Sequence, residues 1–145
     1  MQPIKTVCLL SLALAGLALA GLALPSHAQA VDIAAVDARI AQLEGTYSLV
    51  LSDIGCDAPV IAAHQIMCAA GEGPDPLLWR MGRLDDLAWV YAVETATGQQ
   101  VDLEDPPRDA GFVARRDACE DETCLAQVLI EHTNESLGGT SPYPQ

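Results

Sequence analysis

The fold that this sequence predicts is all-α: a small helical bundle or hairpin domain stapled by two disulfides. Three observations predict it. Apolar residues recur at three- and four-residue steps in several segments. Breaker-rich stretches at 71–76 and 99–111 separate those segments. Four cysteines beyond residue 30 fall into two pairs close in sequence, Cys56 with Cys68 and Cys119 with Cys124.

Asp32 can cap a first helix. Behind it Ile33, Val36, Ile40, Leu43, Tyr47 and Val50 share one helical face. Gly45 weakens that helix by ~1 kcal/mol relative to alanine. Residues 46–52 are β-rich enough to form a short strand instead. Helix is the preferred reading, with Gly55 ending the element. Pro59 sits near the first helical position of a short helix over 60–67, which leads to Cys68. Residues 71–76 form a loop, and Asp75 before Pro76 supplies a cap and a first turn. The clearest helix follows. Leu77, Met81, Leu84, Ala88 and Tyr91 keep the helical spacing, while Arg80, Arg83, Asp85 and Asp86 fall on other, solvated faces. It ends near Gly98. Residues 99–111 are a polar loop holding an acidic cluster of Asp102, Glu104 and Asp105. A helix over 109–117 places Phe112, Arg116 and Cys119 on one face. Glu120, Asp121 and Glu122 then complement the dipole at the start of a last helix carrying Leu125, Val128, Leu129 and His132. Gly138 and Gly139 stop it. Residues 140–145 read as a flexible tail.

The ends and the charge bound the function. Lys5, an apolar run over 7–24, Pro25 and the small residues Ala28 and Ala30 read as an export signal, expected to be cleaved after Ala30, with retention as a membrane anchor as the alternative. Cys8 leaves with it. The exported chain then has an N-terminal helical region at 31–55 and a disulfide-linked domain at 56–139, before the tail. All twenty acidic residues lie beyond the signal, against six arginines, so the exported chain carries a net charge of −14. That balance disfavours nucleic acid and anionic membranes as partners and favours basic proteins.

The cysteines imply an oxidising compartment, periplasmic or extracellular. Their gaps do not match structural zinc sites, whose cysteines stand two to four residues apart, and there is no Cys-x-x-Cys redox pair. Four cysteines allow three pairings. Local pairing, Cys56–Cys68 and Cys119–Cys124, closes the shortest loops and costs the least entropy. No phosphate loop, dinucleotide fingerprint or nucleophile–histidine order is present. Asp85 and Asp86 are adjacent on a helix and point about a hundred degrees apart, so they make no carboxylate dyad. His64 and His132 fall on apolar stripes as packing residues with one satisfied nitrogen. Arg116 is expected to pair with a nearby carboxylate. Of Trp79 and Trp89, one is expected in the core and one partly exposed. The chain is therefore expected to be no enzyme and to need no metal or cofactor.

One resemblance sharpens this reading. Cys56 and Cys68 twelve apart, Ile66-Met67-Cys68, Asp75-Pro76, an amphipathic helix through Leu87 and Tyr91, and Arg116-Asp117-Ala118-Cys119 with Cys124-Leu125 occur in that order. The pattern resembles the LprI-type lysozyme-inhibitor domain family of bacterial exported proteins, over about residues 56–137. The segment Asp75 to Tyr91 is about two residues longer than the family pattern, and Phe112 stands where the family often has tryptophan. The resemblance implies a helical, disulfide-linked exported domain. It also implies inhibition of a basic cell-wall hydrolase such as lysozyme, with an envelope interaction domain lacking inhibitory activity as the alternative. The candidate partner-binding residues are Glu72 and Asp75 in one loop and Asp102, Glu104 and Asp105 in another.

Overall fold

The structure, a computed structural model, describes residues 31–48, 52–74 and 76–145. The expected export signal at 1–30, Val50 of the first helical face, and Asp75 lie outside the described residues. Among the described residues the chain is all-α. Five helices follow in order: α1 (Ile33–Glu44), α2 (Ala62–Glu72), α3 (Leu77–Thr97), α4 (Ala110–Asp117) and α5 (Glu122–Leu137), with a short 3-10 turn over Gly138–Thr140.

The 21-residue α3 is the axis of the bundle. It packs against α5, α1 and α2, while α4 lies against α5 and α2. Its sequence explains this position. Leu78, Met81, Leu84, Leu87, Ala88 and Val90 are all buried, too many for a single narrow stripe. Val36, Ile40 and Leu43 of α1, Ala63 and Met67 of α2, Phe112 of α4, and Leu125, Val128 and Leu129 of α5 close around it. Truncating one such leucine to alanine typically costs 2–5 kcal/mol. The end of the Met67 side chain fills the space over Gly82, where a Cβ would stand only 2.5 Å from Met67 Cε.

The helix ends follow local chemistry. Asp32, Asp109 and Asp121 cap α1, α4 and α5 by accepting from otherwise unpaired backbone N–H groups. Gly98 ends α3 in the left-handed conformation at φ 68°, where a side chain would be strained.

Both disulfides form with the local pairing, Cys56–Cys68 and Cys119–Cys124, with Cα atoms 5.6 and 5.5 Å apart. The first ties the irregular segment before α2 to the middle of α2. The second joins the end of α4 to the first turn of α5.

Four expectations need correcting. The first helix stops at Gly45, where Thr46 and Tyr47 N–H groups turn back to Leu43 O. The glycine and the β-rich residues after it end the helix instead of merely weakening it. The second helix starts after Pro59, with Ile61 at its N-cap, and runs through Cys68 to Glu72. Its alanine-rich sequence carries the helix past the cysteine, so Gly71 and Glu72 belong to its last turn and not to a loop. The tail is docked, not flexible. Tyr143 is 3% exposed, Asn134 donates to Pro144 O at 3.0 Å, and Arg39 donates to Thr140 Oγ1 at 2.9 Å. Neither tryptophan is in the core. Trp79 is 41% exposed beside Gly71, and the partly exposed Trp89 donates its indole N–H to Pro107 O at 2.8 Å.

Candidate functional site

Chemistry-bearing side chains gather in two places: a polar cluster in the bundle with a cleft beside it, and a loop at the far end of α3.

The cluster begins on α3. Asp85 and Asp86 do not form the solvated face expected of them. Asp85 is 2% exposed. His132 Nδ1, on α5, lies 2.9 and 3.0 Å from its two carboxylate oxygens, and Thr133 Oγ1 donates to it at 3.0 Å. Burial pushes the Asp85 carboxyl upward, against the opposing pull of His132 and Thr133. The His132 ring stacks on Phe112, with centroids 4.0 Å apart, and tilts against Trp89. Its Nε2 has no hydrogen-bond partner among the described residues and stands 3.7 Å from Asp109 Oδ2. The Thr133 hydroxyl is spent on Asp85 and does not face that nitrogen. This arrangement satisfies a buried carboxylate and holds α5 against α3; it does not present a nucleophile.

Asp86 is partly buried. Burial first, and the neighbouring Asp85 second, raise its pKa to about 7. On α4, Arg116 Nη1 and Nη2 donate to the two oxygens of Asp53 at 2.7 and 2.9 Å, and Nε donates to Asp117 at 2.9 Å. This fork-on-carboxylate geometry is the strong form of the ion pair. The Arg116 hydrogen bond holds Asp53 below the usual carboxylate range. Asp117 also meets His64 Nε2 at 3.0 Å. The expected Arg116 ion pair and the single satisfied nitrogen of each histidine are therefore present. The partners Asp53 and Asp85 are residues that sequence reasoning missed. A signal for Asp85 did exist: it lies four residues after Met81 and three before Ala88, on the buried side of α3.

Beside this cluster a cleft of about 390 Å³ opens between α2, α3, α4 and the segment before α2. Met67, Trp79, Phe112 and Leu129 give it apolar walls, and Asp85, Asp86 and Arg116 lie at its polar end.

The second place is the loop between α3 and α4. Asp102, Glu104 and Asp105 are all exposed there, around a 46% exposed Leu103. Asp102 Oδ1 accepts from Glu104 N at 2.9 Å, which shapes the turn. Glu72 is exposed at the end of α2. Gly71, next to Glu72, lies beside Trp79, and Val101 of the acidic loop donates to Glu94; at 1.5 Å per residue those two points on α3 are about 22 Å apart. The structure thus brings three candidate residues together and leaves Glu72 apart. Asp75 lies outside the described residues.

Among the described residues no group of three or more His, Cys, Asp or Glu side chains is placed to hold a metal, and no helix is long and apolar enough to cross a membrane. Compared with family models, curated proteins and solved structures, the chain matches none of them.

Proposed function

We propose that this protein is an exported acidic domain of LprI type, periplasmic or secreted, that binds and inhibits a basic cell-wall hydrolase such as lysozyme. The observation that carries the reading is the α3–α4 loop. It presents three exposed carboxylates around an exposed leucine at one end of a stapled, rigid bundle. All three carboxylates are exposed, so their charge remains available to a partner. Net charge steers the encounter, and a loop of this kind then contacts the rim of a cationic cleft. The order of cysteines and the Arg-Asp-Ala-Cys segment support the same reading. It assigns the protein a binding role and no catalytic one.

The test is residual lysozyme activity against inhibitor concentration at two salt levels. Inhibition is expected to weaken once the Debye length falls to about 10 Å. Replacing Asp102, Glu104 and Asp105 together with Ala is expected to weaken it by about tenfold or more. Asp85 and Asp86 are unsuitable as the surface control because Asp85 is buried and Asp86 partly buried. The exposed residues Asp57, Glu120 and Glu131 lower the net charge equally, and their triple replacement is expected to cost less than the loop variant. Full lysozyme activity at micromolar inhibitor and low salt would remove the lysozyme reading. An envelope interaction domain would then be the better description.

A further inference from the structure

We propose that the cleft between α2, α3 and α4 binds a slender apolar chain ending in one positive charge, an alkylammonium or alkylguanidinium, with Asp86 as its counter-ion. The site is distinct from the acidic loop, and the inference does not depend on lysozyme being the partner.

Size and lining argue first. A volume of about 390 Å³ lies at the small end of the range for ligand sites. Apolar walls from Met67, Trp79, Phe112 and Leu129 suit a short methylene chain. Gly82 also lines the cleft, where a side chain would narrow it.

The sign of the head group follows from which charges are already engaged. Both terminal nitrogens of Arg116 are held by Asp53 and Asp117. Arg83, also in the lining, is paired with Glu44 of α1. Asp85 is engaged by His132 and Thr133. Asp86 is different: it lines the cleft and feels the charges of Arg108 and Arg116 through space, but no hydrogen bond among the described residues reaches its carboxyl. An anionic head would meet two carboxylates and two arginines already engaged. A cationic head would meet an open carboxylate, and its stem would lie along the Trp79 face, where cations are also attracted.

Such a head group has two natural sources: a lysine or arginine side chain of a protein partner, or a free small amine. The probes are n-butylguanidinium and n-butylammonium, with n-butanol and butyrate as the neutral and anionic matches. Each is titrated into the disulfide-intact exported protein at constant ionic strength and at about pH 8, above the Asp86 value of about 7, following the Trp79 indole resonance by NMR. Saturable binding of both cations is expected, with the alcohol and the acid weaker by about tenfold or more. Asp86→Asn keeps the shape and removes the charge, and is expected to lose about tenfold in cation affinity. Trp79→Ala removes an exposed wall without opening the core and is expected to weaken binding as well, followed there by the backbone resonances of Gly82. Butanol binding as well as the cations, or unchanged cation affinity in Asp86→Asn, would overturn the proposal. A competition arm assigns the source. If the cations displace a basic lysozyme, the head group belongs to a protein side chain. If they bind without displacing it, the site takes a free amine and the loop holds the protein. Absence of cation binding alongside intact lysozyme inhibition would sink this site and leave the loop reading standing.

Discussion

Asp86 stores a pH dependence. In the unfolded chain its carboxyl titrates near the ordinary aspartate value of 3.8, and in the folded protein burial raises it to about 7. The folded state therefore holds the extra proton across that window. Above it, burying the ionised group costs stability. The Asp86 contribution is thus most favourable below about pH 4 and is lost as pH rises through about 7. A shift of that size corresponds to something on the order of 4 kcal/mol before solvent screening is allowed for. Asp86→Asn should flatten this part of the stability profile and raise stability at pH 8 relative to pH 5. Urea unfolding at both pH values measures it, and equal pH profiles for the two proteins would contradict the assignment. Arg116 should behave in the opposite sense as a structural group. Removing it takes the forked donor from Asp53 and Asp117 but leaves Arg108 near the first and His64 on the second, so Arg116→Leu should cost about 3 kcal/mol, the low end for a broken buried pair. The Arg116 pairing was legible because an arginine on a mostly apolar helical face needs a carboxylate. Its partner was not legible, since Asp53 lies 63 residues away in an irregular segment. Asp85 was misread because a stripe pattern places every charge outside, and only a histidine 47 residues away makes its burial tolerable.

At the scale of elements, the Asp32 cap was legible, while Asp109 and Asp121 were legible only as acidic residues at a helix start. Aspartates before α1, α4 and α5 each accept from backbone N–H groups at their helix starts, as short acidic side chains at those positions should. Asp109 accepts from two such groups, Gly111 N at 2.7 Å and Phe112 N at 3.0 Å, while Asp121 accepts from one, Cys124 N at 2.8 Å. Asp121→Ala should cost about 1 kcal/mol and Asp109→Ala somewhat more, toward the upper end of about 2. Unfolding midpoints at unchanged denaturant slope would show the order. The boundaries of α1 and α2 were less legible. A three-and-four repeat continues through Gly45 on paper because Tyr47 falls in register. In the structure Tyr47 leaves the helix and packs edge-on against Tyr91, with centroids 5.5 Å apart. At α2 the proline suggested a start that the chain delays to Ala62.

For the whole molecule, the two staples are unequal. In the chain-entropy account a loop of twelve residues is worth ~3 kcal/mol and one of five ~2. The first also anchors the segment that carries Asp53, the partner of Arg116. Replacing Cys56 and Cys68 with Ser should therefore lower the thermal midpoint more than replacing Cys119 and Cys124. A reversed order would mean that the segment before α2 holds its place without the bond. The pairing itself was legible from loop length alone. The docked tail was not: one tyrosine among prolines and small polar residues has no periodicity to announce that its ring completes the core.

That tail has a topological consequence. Val31 and Pro144 both line the groove beside α3 and α5. A short linker could join them, and new termini could be cut at Leu103 in the exposed loop. The permuted protein would keep all five helices, both staples and the cluster around Asp85. It would present its acidic residues on two loose ends in place of one shaped turn. A permutant that folds and still takes up alkyl cations, yet no longer holds lysozyme, would separate the scaffold from the contact in a single molecule.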